Sequence, residues 1–314
     1  MTTAIQGPGI AEAGAAPARR GTIRQALRDR PSALVGLAVL AVFVLLAVLG
    51  PPLSPYGIRE KVGAPFGPPT GSHLLGLDDA GIDMVTLLMQ GGRVSLVVGF
   101  AASLLAVLLG TVVGVLAGYY GGKTDTILMR ITDYFLVIPD LVLMIVIASI
   151  WGQSLRNIII VIGGLLWTWT ARVVRAQVKS VRERVYVRRS IALGGSNRHT
   201  IFRHVLPQVA PLIVANWVLL IAIAIFDETA LAYLGLSDPT AISWGRLISN
   251  ASDAAAVSAG AWWAIVPPGV CVALVILSCT MMGQALEDTL NPRLKASYLA
   301  AKGFRLRRLR EGEA

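Results

Sequence analysis

The sequence predicts an all-α, polytopic membrane protein with six transmembrane helices and both termini in the cytoplasm. Three observations carry this. Of 314 residues, 55% are hydrophobic and only 15% charged, with a mean hydropathy of +0.67, whereas soluble domains are about 25% charged. Six stretches approach the ~20 apolar helical residues that a ~30 Å hydrocarbon core requires. With the N-terminus inside, 23 of the 28 lysines and arginines fall on the cytoplasmic side, as the positive-inside rule demands. The same bias accounts for the net charge of +10, so nucleic acid is not an expected partner.

Residues 1–32, rich in Gly, Ala and Pro, are expected to be a largely disordered cytoplasmic tail. The first span, Ala33–Gly50, has 18 residues without a charge. It follows a 32-residue tail, precedes Pro51-Pro52 and shows no small-x-small cleavage site, so it reads as an uncleaved helix rather than a signal peptide. Residues 33–93 comprise this helix and a long extracytoplasmic loop. The proline-rich half of the loop is expected to be irregular. In "GIDMVTLLMQGG", Ile82, Val85, Leu88 and Met89 share one helical face, which predicts a short interfacial helix.

Residues 94–290 form a five-helix core. Val94–Ala117 has 24 residues without a charge. Gly121-Gly122 is a tight turn. "GYYGGKTDT" resembles the end of a phosphate-binding loop, but Ala117 occupies the place of the first required glycine and a membrane span precedes it rather than a strand. No nucleotide site is therefore expected on this chain. The third span, Ile127–Trp151, contains Arg130, Asp133 and Asp140; Arg130 and Asp133 stand i,i+3 and are expected to pair. The fourth, Ile158–Val178, ends basic. Arg172, Arg175, Lys179 and Arg182 share one face, behind Trp167 and Trp169 at the interface. The fifth, Val209–Leu234, carries Asn216, Asp227 and Glu228. Ionisable groups at membrane depth default to functional hypotheses, so Asp140, Asn216, Asp227 and Glu228 are candidate pathway residues. Asp227 and Glu228 either face a watery cavity or reach the headgroups. The sixth span, Trp262–Met282, has 21 residues without a charge and contains both cysteines, Cys271 and Cys279, which excludes a disulfide framework. Residues 291–314 are a basic cytoplasmic tail suited to anionic lipid. No zinc-protease, nucleophile-elbow or His/Cys cluster occurs, so neither an enzyme nor a metal site is expected.

Between the fourth and fifth spans lies "RRSIALGGSNRHTIFRHVLPQVAPL", polar and basic in a greasy chain. Tyr186–Leu193 is expected to be a short helix ended by Gly194-Gly195. Ser196 caps a second helix, Asn197–Val205, and Pro207 turns the chain back into the membrane. The pattern describes either a helix–turn–helix knob able to transmit force or an ordinary loop.

The run "ALGGSNRHTIFRHVLP" resembles the ATPase-coupling motif of ABC importer permeases, with Gly194 and Leu206-Pro207 at the motif positions. "LLGLDDAGIDMVTLLMQGGRVSLVVGF" and "GVLAGYYGGKTDTILMRITDYFLVIP" resemble the N-terminal half of the dipeptide/oligopeptide/nickel-type permeases. "ETALAYLGL", "SWGRLI" and "GQALEDTLNPRLK" resemble their C-terminal half. The resemblance runs from Arg30 to Lys295 and is closest to the second permease subunit of such systems. It implies the type I importer permease fold, a coupling loop at residues 183–207 (Arg188, Gly194, Gly195, Ser196, Ile201, Leu206 and Pro207), and a bacterial cell membrane. It also implies four further subunits: a homologous permease, two ATPases that hold ATP and Mg, and an external substrate-binding protein. Short peptides are the implied solute, with nickel or another small solute as the alternative. A secondary transporter, which would show inverted repeats, is the rival class. The chain departs from the family where Arg188-Arg189-Ser190 replaces the usual Glu-Ala-Ala, and at Leu77 and Ile82 in the outer loop.

Overall fold

A computed structural model describes residues 30–290; the expectations for both tails lie outside these residues. The described chain is almost entirely helical. Its elements are α1 (Pro31–Leu53), α2 (Met84–Tyr120), α3 (Gly122–Val137), α4 (Asp140–Trp151), α5 (Leu155–Arg182), α6 (Val185–Ala192), α7 (Asn197–Thr200), a π-helical turn (Ile201–Val205), α8 (Leu206–Tyr233), α9 (Trp244–Asp253) and α10 (Trp262–Leu290). Five of these passes are long and apolar enough to cross a membrane: α1, α2, α5, α7–α8 as one run, and α10; α3 and α4 together make a sixth candidate, bent by 85°. Arg30 pairs with Asp288 at 2.6 Å, so the described chain starts and ends at the same end of the bundle.

Four sequence expectations need correction. The interfacial helix before Val94 is not separate: α2 runs unbroken from Met84. Asp83 starts it by accepting from the Thr86 amide at 3.0 Å, the capping geometry that satisfies an orphan N–H. Gly91 and Gly92 do not break the helix because they seat Trp244, and a Cβ on Gly92 would come within 2.8 Å of that indole.

The third span is two helices. Pro139 has no N–H and its ring crowds the preceding turn, so Ile138 is driven to extended backbone (φ −83°, ψ 130°).

Pro207 does not end a helix. It lies in the first turn of α8, and the π-helical turn before it absorbs the irregularity, so Asn197–Tyr233 is one continuous 37-residue run. Finally, Asp133 pairs not with Arg130 but with Arg172 of α5, at 2.6 Å.

The core is organised about the crossing of α2 and α5. Gly110, Gly114 and Gly118 recur every fourth residue along α2. Cβ atoms there would come within 2.5 Å of the Trp167 carbonyl oxygen, 2.7 Å of that of Ala171 and 2.8 Å of that of Arg175. Gly163 of α5 returns the contact against Ala102 and Leu105. Small residues at this spacing let two helix backbones touch, which substitutes in lipid for a hydrophobic driving force.

Candidate functional site

At one end of the bundle, α6 and α7 form the knob. α6 ends in a Schellman motif: the Gly194 amide bonds to the Ile191 carbonyl at 3.0 Å and the Gly195 amide to the Ser190 carbonyl at 2.9 Å. The motif needs a left-handed residue, and Gly194 supplies it with φ +81°. Ser196 then caps α7, accepting from the His199 amide at 3.3 Å.

The knob is braced from inside. Val187 is fully buried among Val178, Val181, Val205 and Val209, with Tyr119 of α2 in the same cluster. Tyr119 donates to Asn197 at 3.2 Å, and the Arg182 guanidinium lies 5.7 Å from its ring centroid. Ile201 is buried, and Leu206 and Pro207 join the knob to α8. Its outer surface is both apolar and basic: Leu193 is 88% exposed and Phe202 62%, with Arg188 and Arg189 exposed beside them. Two shallow depressions open there. One is lined by Arg182, Glu183, Val185, Arg188, Arg189 and Ile191, the other by Ser196, Arg198, His199, Phe202 and Arg203.

The basic face of α5 has partners the sequence did not disclose. Asp125 of α3 receives a two-pronged contact from Arg175 and a bond from Lys179 at 2.6 Å, and Asp133 takes Arg172. These ion pairs hold α3, whose outer face exposes Ile127, Tyr134 and Val137, between Gly121-Gly122 (both at positive φ) and the Pro139 elbow. Asp125 is 13% exposed and Asp133 46%, so solvent screens the second pair more. Replacing Asp125 with Asn is expected to speed amide exchange across Gly122–Val137 roughly tenfold, about 1.4 kcal/mol, and Asp133→Asn to change it less. Equal effects would show that burial does not grade these pairs.

The candidate pathway residues are not all alike. Asn216 donates to Thr170 of α5 at 2.8 Å, a hydrogen bond between helices. Glu228 is 1% exposed. It accepts from Ser95 at 3.0 Å, and Ser95 in turn accepts from the Trp244 amide at 3.2 Å. Glu228 thereby joins α8, α2 and the start of α9. Asp227 is 5% exposed, its Oδ2 has no hydrogen-bond partner, and Asp140 is the neighbouring charge that acts on it. Asp140 itself is exposed at the elbow and accepts from the Leu141 amide at 2.8 Å. Among the described residues, no group of three His, Cys, Asp or Glu could hold a metal ion.

Long apolar passes around a glycine-packed crossing, with a braced knob at one end, define a multi-pass α-helical membrane protein. Residues 110–296 match the binding-protein-dependent transport system inner membrane component family, and residues 21–66 match the N-terminal TM domain of oligopeptide transport permease C. The chain is 35% identical over 272 residues to the dipeptide transport system permease protein DppC of Alkalihalophilus pseudofirmus, covering 86% of this chain and 88% of that one. It is 32% identical over 271 residues to the oligopeptide transport system permease protein OppC of Bacillus subtilis, covering 85% and 88%. The chain belongs to the binding-protein-dependent transport system inner membrane component family, a family of transport permeases and not of enzymes.

Proposed function

We propose that this chain is one permease subunit of an ATP-driven importer of short peptides in a bacterial cell membrane. The similarity to dipeptide and oligopeptide permeases over most of both chains is the observation that carries this reading. In it, a second, homologous permease completes the pathway and an external binding protein delivers the peptide. Two ATPase subunits hold ATP and Mg and dock on the knob, the coupling loop that contains Arg188, Gly194, Gly195, Ser196, Ile201, Leu206 and Pro207. Closure of the ATPases moves the knob. Because Val187 and Tyr119 tie it to α5 and α2, that displacement reaches the crossing as a rigid-body change. The face of α8 carrying Asn216 and Asp227, with Asp140 opposite, lines the pathway, while Glu228 fixes α8 to α2. Six spans with both ends inside would place the knob in the cytoplasm.

Purification of the tagged chain from its native membrane tests the assembly: a second permease and two P-loop proteins should come with it, and the reconstituted complex should take up peptides only with ATP. Retention of no ATPase, with uptake driven by an ion gradient, would establish the rival class. Orientation is read separately in a cysteine-free background. Single cysteines at Ser72, Ser196 and Asp253 are all at exposed positions. An impermeant external reagent should label the first and third and spare the second.

A further inference from the structure

Asp227 is buried, and no contact among the described residues satisfies its Oδ2. Asp227 lies on the face of α8 that carries Leu220, Ala224 and Leu231, and these pack in one cluster with Met144 of α4. Asp140 begins α4, one turn before Met144. Two acids on different helices thus flank one apolar cluster beside the elbow. A carboxylate this deeply buried ordinarily has a hydrogen-bond donor or a cation beside it. Glu228 next door keeps one bond, from Ser95, although its Oε1 is unpartnered; Asp227 Oδ2 likewise has no partner. No arginine, lysine or histidine among the described residues pairs with Asp227 or Asp140. The neighbourhood is made more negative by α3, whose 16 residues end at the same elbow with unpaired carbonyls and the negative end of the helix dipole.

We infer that Asp227 and Asp140 form a cation station in the pathway, and that its ligand is a primary ammonium carried by the transported solute. Two carboxylates are too few for a calcium ion, which takes six to eight oxygens, and no third acidic, histidine or cysteine ligand joins them. An ammonium has three N–H donors and no acceptor, so two carboxylates and a helix-end carbonyl saturate it. In the present conformation Asp227 is buried. The station opens when α4 moves about the elbow, which makes ammonium binding part of the alternation rather than a permanent trap. The inference rests on the peptide-importer reading and narrows it: solutes bearing an ammonium are favoured inside the membrane, independently of what the external protein selects.

The test is a ratio. The complete transporter, with its binding protein, is reconstituted with wild-type chain, Asp227→Asn or Asp140→Asn. Uptake is measured for the Nα-acetylated peptides Ala-Lys-Ala and Ala-Glu-Ala, with acetylated Ala-Gln-Ala as the neutral reference, so that the lysine side chain is the only ammonium among them. The binding protein is the same throughout, so its preference cancels between variants, as does any uniform loss from poor folding. Asp227→Asn should lower the lysine-to-glutamate uptake ratio about tenfold, equal to ~1.4 kcal/mol. Asp140→Asn should lower it in the same direction; because Asp140 is exposed and bonded only to its own helix start, this variant folds. An unchanged ratio in either variant overturns the station, however far the absolute rates fall. A wild-type complex that takes up none of the three peptides overturns both the station and the peptide reading.

Discussion

Valine in place of Gly114 is expected to prevent the chain from accumulating as a folded protein. A Cβ at this position already lies 2.7 Å from the Ala171 carbonyl oxygen and 2.8 Å from Val174 Cβ. Neither neighbour can yield, since one is helix backbone and the other is fully buried. Valine adds two further methyl groups, so α2 and α5 must separate along the crossing that organises the bundle. Overpacking of this kind costs roughly 1–3 kcal/mol where side chains can adjust, and the cost is larger here because backbone is the obstacle. Adjacent glycines on α5 provide the control. Gly163→Ala would place a methyl 2.8 Å from the Ala102 carbonyl oxygen, whereas a methyl at Gly164 meets nothing within 4 Å. In detergent-purified chain, Gly163→Ala should lower the melting temperature. Gly164→Ala should leave it unchanged or raise it slightly, since alanine in a helix is favoured over glycine by ~0.5–1 kcal/mol. Equal responses from these neighbours would show that the crossing is not held by close backbone approach.

That crossing marks where sequence reasoning stopped short. The apolar runs located α1, α2, α5, α8 and α10, because the length and charge content of a span are local properties. The repeat Gly110, Gly114, Gly118 was visible too, and its small-residue spacing is the signal that would have exposed the α2–α5 contact. The ion pairs were half legible. The basic stripe on α5 followed from spacing, but its acidic partners stand about 40 to 50 residues earlier, and no local rule selects Asp125 and Asp133 over other carboxylates. The two prolines act in opposite directions. Pro139 breaks its span by 85°, while Pro207 is carried inside a continuous helix. Both lack the N–H, but Pro207 sits in a first turn where that donor is dispensable, and the π-helical turn before it supplies slack. The burial of Glu228 was beyond reach because it depends on Ser95 and Trp244, which come from distant elements. The knob itself was legible in outline, since Gly194-Gly195 and Ser196 are local stop and start signals.

If the chain is the proposed importer subunit, replacing Gly194 with leucine is expected to abolish peptide-stimulated ATPase activity in the assembled complex while leaving the chain folded. Gly194 adopts φ +81°, a region that costs an ordinary L-residue about 1–2 kcal/mol. A Cβ there meets nothing within 4 Å, so the loss is one of backbone shape and outer surface, not of interior packing. The bundle survives because Val187 and Tyr119 hold the knob from the other side. Gly194→Asn separates the two contributions, since asparagine tolerates the left-handed region. If backbone shape is what the ATPase reads, asparagine should retain much of the activity that leucine loses. Arg188→Glu is the electrostatic counterpart. Arg188 is exposed, and Arg189 beside it doubles the positive charge where the resemblance to other permeases leads one to expect glutamate. Either the docking ATPase presents an acidic group to Arg188, or Arg188 points past it and the contact is made by the shape around Gly194. Like charges brought together across an interface oppose docking, so the two cases diverge on charge reversal. The Schellman geometry is intact and Leu193, 88% exposed, stands at its apex. Contact by shape is therefore expected, and Arg188→Glu should change coupled ATPase activity by less than about twofold, within the ±0.5 kcal/mol usual for surface substitutions. A complex uncoupled by Arg188→Glu but tolerant of Gly194→Leu would reverse that assignment and make the knob an electrostatic contact.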